Sequence, residues 1–191
     1  LQRCGARIEG LGSRTVRIHG VRSLTPIDTT IIPDRIEAAT FLAAAAITGG
    51  SVTLEQCEPE HIRASIERLT EAGCVIQTGE REVTISGPVR PAPLTVTTQP
   101  YPGFPTDLQA QMMAALSLAD GRSVISETIF ENRFMHVLEL NRMGADVKVE
   151  GNFAIVRGAA TLSGAPVMAT DLRASVCLVL AGLAAEGMTE V

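Results

Sequence analysis

The chain has 191 residues, of which 46% are hydrophobic, and its formal net charge is −5. This length and apolar content predict a globular protein of one or two domains with a substantial core. The acidic balance, without any run of like charges, argues against a nucleic-acid partner, which would need a clustered basic face.

The cysteines and the apolar runs limit the cellular setting and the partners. The four cysteines stand far apart, at Cys4, Cys57, Cys74 and Cys177. Because none belongs to a Cys-x-x-Cys pair and no histidine has zinc-finger spacing, we expect no metal site, no disulfide framework and a reducing, cytoplasmic setting. The longest apolar runs, 41–47 and 176–185, fall short of the ~20 residues that span a bilayer, so no membrane association is expected.

The chain opens with a partial copy of a pattern that returns later. Residues 1–22 resemble the ends of two later units, which close on Gly87 and Gly158. This similarity predicts that the opening segment is the tail of a preceding unit. Residues 23–31, which include Pro26, are predicted to be a linker.

Three apolar, Ala-rich helices are predicted after the linker, and each begins beside an aspartate. They span residues 35–48, 108–119 and 172–185, next to Asp34, Asp107 and Asp171. Because these segments are apolar nearly all round, we expect helices that are buried on every side.

Two further helices have a different pattern. The segment after Pro59 places Ile62, Ile66 and Leu69 on one face, and the segment after Asn132 repeats this arrangement. Both segments predict amphipathic surface helices. Short alternating segments between the helices predict half-buried strands.

These elements combine into one repeated unit of strand, buried helix, strand, surface helix, strand and strand. The units are predicted at residues 32–90, 94–160 and 165–191, and the third is incomplete because its second helix and last strands are missing. The sequence therefore predicts an α/β protein built from βαβαββ repeats, and a chain that is a fragment of a longer protein.

The aspartate beside each apolar helix has a structural explanation and a functional one. An Asp at this position caps unpaired backbone donors and contributes about 0.5 to 2 kcal/mol, which is sufficient to explain any one of the three. The middle copy differs, because Asp107 follows Pro105 and because Gln109 replaces the arginine present at Arg35 and Arg173. Without an adjacent cation, Asp107 is expected to have a raised pKa and to act as a base.

The arginines at the helix starts are the second group of candidates. Arg35 and Arg173 stand where the helix dipole disfavours a cation, and Arg133 follows Asn132, a predicted N-cap. Such termini attract anions, and their convergence would form a phosphate or carboxylate site. The alternative is that each arginine pairs with an acidic residue next to it in the sequence. His136 is a further candidate base, but its place on an amphipathic helix favours a packing role.

Three stretches of the chain resemble the enolpyruvyl transferases: Phe104–Gln111, Phe130–His136 and Ala169–Ser175. The resemblance covers essentially the whole chain and is closest to the branch of the family that acts on UDP-N-acetylglucosamine. It implies two lobes, each an inside-out α/β barrel of three repeats with buried helices and outer sheets, and substrates bound between the lobes. Residues 1–22 would end one lobe, and residues 32–191 would form most of the other.

The resemblance also implies roles for five residues. Asp107 matches the residue that contacts the sugar 3-hydroxyl and removes its proton as phosphoenolpyruvate is attacked, and Ile129 contacts the same nucleotide sugar. Arg133 and Arg173 match arginines that hold the phosphoenolpyruvate anion, and Asp171 is placed to organise that cluster. The family's reactive cysteine loop and its Lys-Asn pair match no part of this chain, so the chain alone is expected to be inactive.

The implied reaction transfers the enolpyruvyl group of phosphoenolpyruvate to the 3-hydroxyl of UDP-N-acetylglucosamine, which begins peptidoglycan precursor synthesis. It needs a base for the hydroxyl, an acid for the methylene carbon and cations for the phosphate and carboxylate, but no cofactor. The sister enzyme 5-enolpyruvylshikimate-3-phosphate synthase fits the motifs less well, and a non-catalytic binding module that retains the fold is a further alternative. The expected partners are the two small-molecule substrates and the other lobe of the same protein.

Overall fold

The computed structural model describes residues 1–169 and 171–191. It divides into two compact units, Leu1–Ile32 and Pro33–Val191. The finer assignment of the opening segment to a preceding lobe and a linker stays a prediction. Thr170, which belongs to the third family motif, lies outside the described residues.

The first unit is built around one hairpin. A 3₁₀ helix at Gln2–Cys4 precedes the antiparallel strands β1 (Arg7–Glu9) and β2 (Arg17–His19). Gly5 ends the 3₁₀ helix with a φ of 96°, a left-handed conformation that glycine adopts without strain. Residues 20–32 form no helix or strand.

The described part of the second unit contains the predicted alternation of apolar and amphipathic helices. They are α1 (Arg35–Thr48), α2 (Arg63–Glu71), α3 (Gln109–Leu116), α4 (His136–Arg142) and α5 (Leu172–Ala184). Helix α3 is buried at every residue, as its composition predicts, but the same prediction is wrong for α1 and α5. Phe41 of α1 and Leu183 of α5 are exposed, because the face between these two helices is not covered by other described residues. Among the described residues, no helix has the length and apolar character to cross a bilayer.

The described strands of the second unit form three sheets. They are β3 (Ser51–Glu55), β4 (Val75–Thr78), β5 (Glu82–Ser86), β6 (Thr95–Thr97), β7 (Arg122–Ser126), β8 (Asp146–Glu150), β9 (Phe153–Arg157), β10 (Leu162–Ser163) and β11 (Ala185–Glu186). Their orders are β3-β5-β4, β6-β7-β9-β8 and β10-β11. Strand β6 runs parallel to β7, whereas β9 pairs antiparallel with both β7 and β8.

Comparison of the three sheets confirms the repeat, except that residues 20–34 contain no strand ahead of α1. The elements β6, α3, β7, α4, β8 and β9 follow one another in the predicted βαβαββ order. The antiparallel sheet β3-β5-β4 matches β7-β9-β8, and the parallel pair β10-β11 matches β6-β7 with an apolar helix between its strands. The fold is therefore mixed α/β as predicted, and the described residues do not close a barrel.

Local sequence explains where α1 begins and ends. Asp34 Oδ1 accepts hydrogen bonds from the backbone N–H of Ile36 at 2.7 Å and of Glu37 at 3.3 Å, which satisfies donors that have no partner inside the helix. The helix ends at Gly49, whose φ of 65° is the left-handed conformation favoured after a last turn. The cap predicted at Asp34 is confirmed.

The centre of the second unit is a packed trio of helices, α1, α3 and α5, with α2 packed on α1 and α4 packed on α5. The trio contributes Leu42, Met113 and Leu178, each 0% exposed, to the core. Between α1 and α5 lies an apolar groove of about 580 Å³, where Phe41 and Leu183 are 50% and 61% exposed. The same packing fixes the starts of α3 and α5 relative to each other.

Candidate functional site

Three residues that lie far apart in the sequence meet at one carboxylate. Asp107 lies in the 3₁₀ turn Thr106–Leu108 ahead of α3, Arg133 lies in the loop before α4, and Arg173 lies in the first turn of α5. Asp107 Oδ1 accepts hydrogen bonds from Arg133 Nη2 at 2.9 Å and from Arg173 Nε at 3.2 Å. The three side chains are 31%, 23% and 29% exposed, so solvent only partly screens these contacts. We call these three residues the Asp107 cluster.

The raised pKa expected for Asp107 is wrong. Burial by itself raises the pKa of this carboxyl, but the hydrogen bonds and charges of Arg173 and Arg133 outweigh it and hold the pKa below its ordinary value. The prediction considered only residues next to Asp107 along the chain. The cations that contact it are Arg173, which is 66 residues away, and Arg133, which is 26 residues away. Asp107 is therefore ionised at neutral pH.

The arginines follow neither sequence-based expectation completely. Arg133 and Arg173 converge, but Arg35 lies elsewhere, with its guanidinium carbon 5.5 Å from the centroid of the Tyr101 ring. Both Arg133 and Arg173 contact Asp107, an acid that is not next to either of them in the sequence. Two cations therefore share one carboxylate oxygen.

Arg133 is held in a loop and not at a helix start. The N-cap predicted at Asn132 is wrong, because Asn132 has a φ of 57° and α4 begins only at His136. The Arg133 guanidinium carbon lies 4.8 Å from the centroid of the Phe130 ring, and its Nη1 donates to Thr106 Oγ1 at 2.8 Å. These contacts fix the direction of the guanidinium.

Thr106 connects the cluster to a buried acid, Glu127. The Thr106 hydroxyl donates to Glu127 Oε2 at 2.8 Å, and Glu127 also accepts from the Thr98 hydroxyl and the backbone N–H groups of Ile129 and Phe130. Burial by itself raises the pKa of Glu127, but these hydrogen bonds outweigh it and hold the pKa below its ordinary value. The sequence analysis did not identify Thr106 or Glu127 as candidates. Glu127 could have been identified because it is an acidic residue directly after a strand.

The loop that carries Arg133 also lines a cavity of about 590 Å³. The cavity wall consists of residues 127–132 with Phe134, Gly151 and Asn152. Ile129, which the resemblance places at the nucleotide sugar, is 39% exposed on this wall. The backbone N–H of Glu127 donates to the carbonyl of Asn152 at 2.8 Å and ties the loop to the turn between β8 and β9. A cavity of this size is suitable for a small molecule.

Asp171 orders the start of α5. Its Oδ1 accepts a hydrogen bond from the backbone N–H of Arg173 at 2.7 Å, and its backbone carbonyl accepts from Ser175 Oγ at 2.7 Å. The first contact is the capping interaction that the sequence predicts. It stabilises the turn from which Arg173 reaches Asp107.

The remaining titratable candidates are buried and uncharged at neutral pH. Burial lowers the pKa of His136, which is 3% exposed and lies beside the Phe134 ring, to about 4, in agreement with a packing role. Burial raises the pKa of Cys74 to about 11 and also raises the pKa of Cys57 and of Cys177. Across residues 1–169 and 171–191, no group of histidine, cysteine and acidic side chains is arranged to hold a metal ion.

The repeated βαβαββ units and the arginine-flanked aspartate define a protein of the enolpyruvyl transferase class. The family described as EPSP synthase (3-phosphoshikimate 1-carboxyvinyltransferase) has a model that matches residues 1–191. The chain belongs to this family. The resemblance inferred from the three motifs is thereby confirmed.

Relatives within the family point to one branch. The chain is 58% identical to the UDP-N-acetylglucosamine 1-carboxyvinyltransferase of Trichlorobacter lovleyi and 56% identical to those of Geobacter metallireducens and Myxococcus xanthus. Each match covers 100% of this chain but only 46% of the relative. The chain thus spans about half the length of the curated relatives that it matches.

Solved structures agree with the enolpyruvyl transferase fold. The enolpyruvyl transferase NikO from Streptomyces tendae is 30% identical, with a TM-score of 0.82 over 98% of this chain and 46% of that protein. The EPSP synthase of Acinetobacter baumannii has a TM-score of 0.70 over 98% of this chain and 47% of its own. At 20% identity, the second comparison supports the fold alone.

Proposed function

We propose that the chain is part of an enzyme that transfers the enolpyruvyl group of phosphoenolpyruvate to the 3-hydroxyl of UDP-N-acetylglucosamine and releases phosphate. Relatives of that name, 52% to 58% identical over the whole chain, support this acceptor. Because the chain spans 46% of those relatives, the rest of the active site is proposed to come from the other lobe of the same protein. The reaction would supply peptidoglycan precursors in the cytoplasm and so serve cell-wall biogenesis and cell division.

The observation that carries this proposal is the pairing of Asp107 with Arg133 and Arg173. Addition of an alcohol to phosphoenolpyruvate needs a proton acceptor for the hydroxyl and cations for the phosphate and carboxylate. Guanidinium groups bind both anions by paired, charge-assisted hydrogen bonds. In the Asp107 cluster, each of two such cations lies within hydrogen-bond distance of one carboxylate acceptor, at 2.9 and 3.2 Å.

Asp107 is proposed to take the proton of the sugar 3-hydroxyl as the hydroxyl oxygen bonds to C2 of phosphoenolpyruvate. While it holds both arginines, its lowered pKa makes it a weak base. When a substrate phosphate or carboxylate takes over hydrogen bonds from the guanidinium groups, the carboxylate loses stabilising partners and its basicity rises. Anion binding would therefore activate the base at the moment when it is needed.

Arg133 and Arg173 are proposed to stay with the anion through the following steps. The tetrahedral adduct loses phosphate and a methyl proton, which restores the enol double bond on the sugar oxygen. The acid that first protonates the methylene carbon is proposed to belong to the other lobe. Ile129 is proposed to contact the nucleotide sugar in the cavity, and Asp171 is proposed to orient Arg173 through the cap of α5.

The test is a phosphate-release assay on a protein of the relatives' length that contains this chain. We expect release only when both phosphoenolpyruvate and UDP-N-acetylglucosamine are present, and none from residues 1–191 alone. Release with shikimate 3-phosphate as the acceptor would support the sister reaction, after which the matched family is described. Binding of the sugar nucleotide without phosphate release would support a non-catalytic module.

A further inference from the structure

We propose that Glu127 is a positioning residue that sets both halves of the candidate site, the Asp107 cluster and the cavity wall at Ile129. The expected changes in kcat and KM rest on the proposed function. The positions of the loop and of Arg133 rest on the hydrogen bonds of Glu127, and they can be tested without any enzyme assay.

Glu127 is a buried acid whose partners carry no charge. Its side chain is 3% exposed, and within the described part of the chain it accepts from two hydroxyl groups and two backbone N–H groups. A buried carboxylate is costly unless its lone pairs are filled. Four donors between 2.7 and 3.1 Å fill them here, and only an ionised carboxylate can accept from all four.

One carboxylate oxygen shapes the loop. Oε1 accepts from the backbone N–H of Ile129 at 2.8 Å, from that of Phe130 at 3.1 Å and from Thr98 Oγ1 at 2.7 Å. The Thr98 oxygen in turn accepts from the backbone N–H of Thr128 at 2.9 Å. Three successive N–H groups are thus fixed by one carboxylate and one hydroxyl. This arrangement orients Ile129 on the cavity wall.

The other carboxylate oxygen controls the hydroxyl of Thr106. Because an ionised carboxylate can only accept, Thr106 must donate its single hydroxyl proton to Oε2, at 2.8 Å. The hydroxyl oxygen is left to accept from Arg133 Nη1 at 2.8 Å. An amide in place of the carboxylate could donate to that same oxygen and compete with the arginine. Glu127 thus directs Arg133 toward Asp107 through the intervening hydroxyl.

The first experiment compares two substitutions of glutamate by glutamine. Glu127→Gln keeps the volume and removes one acceptor, whereas Glu82→Gln, on the exposed side of β5, removes only a charge. In the protein of the relatives' length, we expect E127Q to raise KM for UDP-N-acetylglucosamine and to lower kcat, with kcat/KM reduced at least about tenfold. E82Q should leave both constants unchanged. Equal kinetics of E127Q and the parent would overturn the proposal.

A double-mutant cycle separates positioning from a general effect on the fold. Thr106→Val removes the link to Arg133 and keeps the backbone contacts of Glu127, so it should lower kcat more than it changes KM for the sugar nucleotide. Because E127Q has already disrupted that link, T106V should lower kcat little further in the E127Q background. Thr106→Ser, which keeps the hydroxyl, should restore kcat. Additive effects of T106V and E127Q on kcat would contradict the proposal.

Hydrogen exchange tests the geometry without catalysis. The backbone amides of Ile129 and Phe130 should exchange at least about tenfold faster in E127Q than in the parent or in E82Q. Equal rates would overturn the positioning role whatever the activity. If E127Q does not fold, two other variants give the test. Thr98→Val should accelerate amide exchange at residues 128–130, whereas T106V should not. Equal exchange in these two variants would also overturn the positioning role. If the amide exchange rates differ as expected but the parent protein releases no phosphate, only the proposed function is refuted.

Discussion

Asp107 Oδ1 lies 2.9 Å from Arg133 Nη2, although 26 residues separate the two along the chain. The same oxygen accepts a hydrogen bond from Arg173 at 3.2 Å, across a separation of 66 residues. One carboxylate oxygen therefore joins two repeat units. Because both arginines contact this oxygen, substitutions of Arg133 and Arg173 should have similar consequences, and substitution of Asp107 should have a different one.

Asp107→Asn tests the proposed base. The amide keeps the shape of the side chain and removes its capacity to take a proton, so kcat for phosphate release should fall by about 100-fold or more. Binding of UDP-N-acetylglucosamine should be largely retained, and the melting temperature should change little because the amide oxygen still accepts from an arginine. A kcat within about tenfold of the parent, which is about 1.4 kcal/mol in the barrier, would exclude this role for Asp107.

Arg133→Ala and Arg173→Ala test the anion-binding role. Each should weaken phosphoenolpyruvate far more than UDP-N-acetylglucosamine, because a guanidinium contributes paired hydrogen bonds to a carboxylate or phosphate. Calorimetric titration of the full-length protein with each ligand measures the two losses separately. Arg157→Ala, which removes a 59% exposed arginine on β9, is the matched control and should affect neither. Equal losses for the two ligands, or a general loss of stability, would make the two arginines structural.

His136 should make folding stability depend on pH. Its pKa falls from 6.5 to about 4 on folding, so the unfolded chain binds a proton that the folded chain excludes. The stability that depends on a neutral His136 is therefore present above about pH 6.5 and is lost as the pH falls toward 4, at a cost of about 3 kcal/mol. Urea unfolding of the parent and of His136→Gln at several pH values isolates this contribution. Parallel pH curves for the two proteins would contradict it.

Substitution of two leucines on α5 tests which face of this helix lies in the core. Leu180 is 4% exposed and Leu183 is 61% exposed in the groove beside α1. Leu180→Ala should lower the free energy of unfolding by about 2 to 5 kcal/mol, because it removes packed methyl groups and leaves a cavity. Leu183→Ala, three residues further along the same helix, should lower it by less than about 1 kcal/mol. Chemical unfolding of both variants gives the comparison, and equal losses would show that the groove is not open in solution.

The sequence by itself determined the architecture of the larger unit. The repeated order of elements, the complete burial of α3 and the cap at Asp34 follow from patterns within short segments, and the structure agrees with them. Such features can be predicted because they depend on composition around one helix or along one strand. The family motifs likewise lie in continuous stretches, so the assignment to enolpyruvyl transferases needed no tertiary contacts.

Only the tertiary structure decided the electrostatics of the candidate site. The pKa of Asp107 is lowered and not raised, because two arginines from distant segments reach the carboxylate that the local sequence leaves without a cation. The role inferred for Glu127 depends in the same way on Thr98 and Thr106, which approach it only in the folded chain. Hydrogen bonds and charge pairs act over a few ångströms in space, whatever the separation along the chain, and the packing of the helices sets those distances.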